Sequence, residues 1–64
     1  QIIPKEYVEV YRILTNEPVH INEIAKKMNK QVFEVTSIIT MMEIEGYAYQ
    51  PKTNYFSRNI NTTI

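Results

Sequence analysis

The only glycine of this chain, Gly46, sits where an apolar helical run meets an alternating aromatic stretch, and this junction constrains the fold more than any other feature. The segment reads Ile38-Ile39-Thr40-Met41-Met42-Glu43-Ile44-Glu45-Gly46-Tyr47-Ala48-Tyr49-Gln50. A helix C-terminus favours a left-handed residue, and glycine enters that region without a Cβ penalty. Beyond it, Tyr47 and Tyr49 flank Ala48 with the spacing that puts both rings on one face of a strand. The reading is a helix stopped at Gly46 and followed at once by a hairpin.

The elements upstream follow from periodicity. Pro4 suits the first position of a helix starting near Lys5, where its missing N–H leaves no bond unmade. Tyr7, Val10, Tyr11 and Leu14 form an apolar stripe at i, i+3, i+4, i+7, with Ile13 at its edge. Thr15-Asn16-Glu17-Pro18 breaks that helix, because proline cannot continue it. Val19-His20-Ile21 is β-prone and short, an expected three-residue edge strand. A second helix follows, burying Ile21, Ile24, Ala25 and Met28 and turning Lys26, Lys27 and Lys30 outward. Asn22 is a good N-cap for it, whereas a capping box would need Ser or Thr where His20 stands. Asn29 is suited to its left-handed end. The third helix, Val32–Glu45, is expected to bury Val32, Val35, Ile38, Ile39 and Met42. Strands at 47–50 and 54–58, joined by Pro51-Lys52-Thr53, complete the pattern.

The order helix, edge strand, helix, helix, strand, wing, strand is that of a winged helix-turn-helix: mainly α, with a small antiparallel sheet. It is assigned to residues 1–58, with 59–64 as a flexible tail. Sixty-four residues make one small domain, and a chain of this size buries only about 60% of its unfolded surface, so the core must be tight. With no cysteine and one histidine, neither a disulfide nor a zinc site is expected, and no cofactor is implied. No apolar run approaches the ~20 residues of a membrane span, and no signal peptide is visible. A cytoplasmic location is expected. The start at Gln1, close to helical sequence, reads as a piece of a longer protein.

The stretch 11–58, roughly three quarters of the chain, resembles the C-terminal winged-helix domain of the DNA-processing protein A family (DprA, also called Smf). The residues that carry the resemblance are Ile13-Leu14, Glu17-Pro18-Val19-His20-Ile21-Asn22-Glu23-Ile24-Ala25, Glu34-Val35, the run from Ile38 to Gly46, and Asn54-Tyr55-Phe56-Ser57-Arg58. The helical motif is common among winged helices. The glutamate-proline opening and the Asn-Tyr-Phe-x-Arg ending are more specific. The resemblance implies an accessory role in natural transformation and DNA recombination, supporting DNA or protein contacts of the parent protein. The alternatives are a protein-interaction or dimerisation module without DNA contact and, after it, the DNA-binding domain of a transcription regulator. Family members bind incoming single-stranded DNA and help load the recombinase RecA, chiefly through a Rossmann-like domain that would precede this segment. The chain departs from the family at Gln31, where Ser or Thr is usual, and in its wing, where Pro-Gly is common. Both positions lie on surfaces a DNA reader would use, so direct DNA contact is not carried over.

Charge bears on the same question. Seven basic and seven acidic side chains cancel, whereas autonomous nucleic-acid binders are usually basic. Weak DNA binding is therefore expected, single strands before duplex. Lys26, Lys27, Lys30, Gln31, Lys52 and Arg58 are the candidate contacts, forming a loose rim that would position phosphates without reading bases. A reading helix presents Arg, Lys, Asn and Gln to the major groove. The outward face of the third helix instead carries Phe33, Ser37, Thr40, Met41 and Ile44, flanked by Glu34, Glu43 and Glu45. Phe33, Met41 and Ile44 are candidate protein-interface residues, for a homodimer, a recombinase or another partner. The competing expectation is that Met41 and Ile44 pack beneath the first helix or the wing. No catalytic grouping surrounds His20, so an enzyme is not expected, nor a small-molecule ligand. Tyr47, Tyr49, Tyr55 and Phe56 could stack on unpaired bases, but alternation assigns most of them to the core.

Overall fold

The computed structural model describes residues 3–59. Pro4 stands just outside the first helix, its ψ of 140° extended. Its carbonyl accepts from the Tyr7 N–H at 2.9 Å, closing a 3-10 turn over Lys5–Tyr7 that runs into α1, Val8–Ile13. The expectation that Pro4 is the first helical residue is corrected: its fixed φ serves the cap equally well. Tyr7, Val10 and Leu14 are buried and Tyr11 and Ile13 half-buried, as the stripe predicts. Leu14 is already extended, and the Thr15 hydroxyl accepts from the Glu17 N–H at 3.1 Å in the turn before Pro18.

The strand β1 is only Val19–His20, because His20 is itself the N-cap of α2, Ile21–Met28. The His20 Nδ1 accepts from the Asn22 N–H at 3.0 Å, doing with an imidazole nitrogen what Ser or Thr does with a hydroxyl. Asn22 is therefore inside the helix, and the expectation that it caps is corrected. The His20 ring is held edge-on against Tyr55 at 5.0 Å.

Two helices end the same way. Asn29 (φ 56°) follows α2, and Gly46 (φ 89°) follows α3, Val32–Glu45. In each, the next N–H reaches back to the carbonyl five residues before it, Lys30 to Ala25 at 3.0 Å and Tyr47 to Met42 at 2.8 Å. These are left-handed Schellman ends. The inward row of α3 is Val35, Ile39 and Met42, with Ile38 half-buried. Val32 is 40% exposed, contrary to expectation, since the first position of the helix lies ahead of the turns that pack on α2.

The sheet has the order β1-β3-β2, all antiparallel, with β2 at Ala48–Lys52 and β3 at Tyr55–Arg58. Val19 pairs with Phe56, and His20 with Tyr55. Ala48 pairs with Arg58, Tyr49 with Ser57, and Lys52 with Tyr55. Gln50 and Pro51 thus face Phe56 alone, a bulge. The wing turn is Thr53-Asn54, later than expected, with Asn54 at φ 67°. Pro51 lies in the bulge of an edge strand, where a missing N–H breaks no ladder. The Gln50 Oε1 accepts from the Asn54 N–H at 2.8 Å and braces the turn.

Alternation buries Ala48 under the sheet, leaving Tyr49 exposed and Tyr47 half-buried against Tyr7, with ring centroids 5.8 Å apart. Phe56 is the hairpin's core ring. Asn59, assigned to the tail, is half-buried and donates its N–H to the Tyr47 carbonyl at 3.2 Å. Asn59 is therefore packed on the hairpin, one residue beyond the expected boundary. The rest of the expected tail, 60–64, lies outside the described residues. The architecture is a small winged-helix α+β fold, as the element order predicts.

Candidate interaction face of the third helix

Burying Val35, Ile39 and Met42 forces the opposite side of α3 to the surface. Phe33 is 71% exposed, Ile44 73% and Met41 46%. The structure thereby excludes the alternative in which Met41 and Ile44 pack under α1 or the wing. Phe33, Ser37, Thr40 and Ile44 follow i, i+4, i+7, i+11 and make one row: two bulky ends with two small residues between them.

Two of the three hydroxyls on this side of α3, those of Thr36 and Ser37, are turned inward on the helix itself. The Ser37 Oγ donates to the Phe33 carbonyl at 3.1 Å, and the Thr36 Oγ1 donates to the Val32 carbonyl at 2.8 Å. Such back-bonding satisfies the donors locally. They are not presented to a base edge, and covering them leaves no donor unpaired.

Charge on α3 has one sign. The helix carries Glu34, Glu43 and Glu45 and no Lys or Arg. By helical phase, Glu34 and Glu45 border the row on the side of Met41, and Glu43 borders it on the other. Glu45 accepts a hydrogen bond from the Tyr7 hydroxyl at 2.6 Å. That bond, then burial, then the negative charges of Glu45 and Glu6 and the neighbouring Tyr47 push the Tyr7 hydroxyl up to about 12. This pairing was missed in the sequence. A buried tyrosine needs a partner for its hydroxyl, but nothing local to Tyr7 points 38 residues ahead.

The residues of the expected basic rim stand on different elements. Lys26 and Lys27 lie exposed in the last turn of α2, where cations complement the helix dipole, and Lys30 follows in the turn. Gln31 is the N-cap residue of α3, yet its side chain makes no capping hydrogen bond. Lys52 sits on the wing with its Nζ 5.0 Å from the Tyr55 ring centroid. Arg58 is turned inward: its Nε donates to the Tyr11 carbonyl at 3.0 Å, and its guanidinium stacks 4.4 Å over the Tyr11 ring. It ties β3 to α1, so its side chain is already engaged within the fold.

An open cleft of about 440 Å³ lies between the start of the chain and the end of α2, lined by Lys5, Glu6, Glu9, Met28, Lys30 and Ile38. Its charges are mixed, and no Ser, Thr, Cys or His lines it. Among the described residues no three His, Cys, Asp or Glu gather where they could hold a metal, and no helix is long and apolar enough to cross a membrane.

In comparisons with family models, curated proteins and solved structures, nothing matches this chain.

Proposed function

We propose that this chain is the accessory winged-helix domain of a DprA-like DNA-processing protein acting in the cytoplasm in DNA uptake and recombination, and that it serves its parent through protein contact. The resemblance at Glu17-Pro18 and from Asn54 to Arg58, with the winged-helix architecture, supports the family. The outer face of α3 supports the mode of action. In a base-reading winged helix this surface enters the major groove; here it offers Phe33, Met41 and Ile44 among carboxylates, with the Thr36 and Ser37 hydroxyls bonded back to the helix. Any contact with DNA falls to Lys26, Lys27, Lys30, Gln31 and Lys52 and is weak.

A salt-titrated anisotropy measurement with a labelled duplex and a labelled single strand tests this. The expected Kd is weaker than ~10 μM at physiological salt for both, because too few cations share one surface. Sub-micromolar binding with a steep salt slope would restore direct DNA recognition. Phe33→Ser should leave the melting temperature nearly unchanged, given how little of that ring is buried.

A further inference from the structure

The exposed row on α3 has a definite charge frame, and the frame selects among occupants. A second copy of the chain would meet this face with the same face, as two-fold contacts require. That would set Glu34, Glu43 and Glu45 against their own counterparts, with no cation on α3 to answer them. The Glu34 and Glu43 carboxylates have no ion-pair partner among the described residues. A nucleic acid would meet the same carboxylates with phosphates. The face is complementary to a surface that is apolar along its middle and cationic along both edges.

Shape points the same way. Phe33 and Ile44 stand at the two ends of the row, and Ser37 and Thr40 leave a low saddle between them. Small residues between bulky ones let another helix approach closely. The Ser37 donor is already satisfied, so covering that side of the saddle strands no polar hydrogen, and the Thr40 hydroxyl remains available to a partner. Resting on the protein-contact reading above, we propose that the α3 face docks an amphipathic helix of a partner protein, whose apolar stripe seats between Phe33 and Ile44 and whose flanking Lys or Arg residues face Glu34 and Glu45 on one side and Glu43 on the other.

The test uses the 64-residue chain and two synthetic helical peptides. They share one leucine stripe at i, i+3, i+4, i+7 spacing and differ only in carrying lysine or glutamate beside it. Binding is followed by amide chemical shifts and by anisotropy of the labelled peptides. The lysine peptide should bind about tenfold more tightly than the glutamate peptide at low salt, as a few surface charge pairs allow. The shifts should centre on Phe33, Ser37, Thr40 and Ile44. Phe33→Ser should abolish binding without loss of helical signal, and Glu34→Lys with Glu43→Lys should reverse the preference. Equal binding of both peptides through α3 would overturn the charged partner while leaving protein contact standing. Binding of neither peptide, or sedimentation showing self-association through α3, would overturn the proposal. Sub-micromolar binding of duplex DNA to the chain without peptide, with amide shifts centred on α3, would sink the protein-contact reading itself.

Discussion

Replacing Gly46 isolates one term in the stability of this fold. At φ 89° and ψ 14° the residue is left-handed, and a Cβ built on it meets nothing within 4 Å. Any loss on substitution is therefore backbone strain and not collision. An L-residue in this region costs about 1–2 kcal/mol. Part is offset, because a side chain also narrows the unfolded ensemble by about 0.4–1 kcal/mol. The net loss for Gly46→Ala is about 1 kcal/mol, and Gly46→Val loses more because β-branching crowds the left-handed region further. In a domain this small each kcal/mol moves the melting temperature by about 4–8 °C.

Gly46→Asn supplies the control. Asparagine already occupies left-handed backbone twice in this chain, at Asn29 and Asn54, so it should cost the least of the three. Thermal and urea unfolding followed by circular dichroism would read the order Gly, Asn, Ala, Val from most to least stable. If valine matches asparagine, the backbone argument is wrong. A loss beyond about 4 kcal/mol would also refute it, since a value of that size requires a clash or cavity that the open space around Gly46 lacks.

Two further predictions concern the ends of α3. Gln31→Ser places a hydroxyl at the uncapped N-cap position, three residues before Glu34, and so writes a capping box; it should stabilise the domain by about 0.5–1 kcal/mol in the same unfolding assay. The Tyr7 hydroxyl, raised from 10.0 to about 12 in the fold, keeps its proton in the folded state longer than in the unfolded one. The folded chain then binds more protons between those values, so stability is intact below pH 10 and declines as pH rises from 10 to 12. Tyr7→Phe should remove that component of the decline, and an unchanged pH profile in the variant would show that the Tyr7–Glu45 hydrogen bond is not the cause.

The fold was legible in the sequence wherever a local rule applied. The bounds of α3 and the left-handed residues at Asn29 and Gly46 follow from periodicity and from which side chains tolerate positive φ. The misplacements share a cause, which is that one residue can do another's task. His20 caps α2 because an imidazole nitrogen can accept where a hydroxyl usually does, and that shortened β1 and moved Asn22 inside the helix. Pro51 entered a bulge instead of a turn because β2 is an edge strand. Contacts between distant segments were not legible. Arg58 on the Tyr11 ring and Tyr7 on Glu45 depend on tertiary packing, and each changed the reading of a surface charge. The residues behind the family resemblance proved to have structural tasks: Glu17-Pro18 in the break, His20 at the cap, Asn54 at the wing turn, Phe56 in the core and Arg58 against α1. Such residues specify a fold more directly than an activity.

The outer face of α3 differs from them because nothing in the fold requires its chemistry. Val35, Ile39 and Met42 anchor the helix from beneath, and the Schellman end at Gly46 and the Tyr7–Glu45 bond pin its last turn from two directions. A surface held on a helix fixed in this way loses little freedom when a partner covers it, so more of its apolar contact remains as affinity. Each exposed large apolar side chain could gain roughly 1.5–3 kcal/mol on full burial. Phe33 and Ile44 lie at opposite ends of one rigid row, so a single helix laid along that row can recover both contributions at once. A contact at either end alone could not.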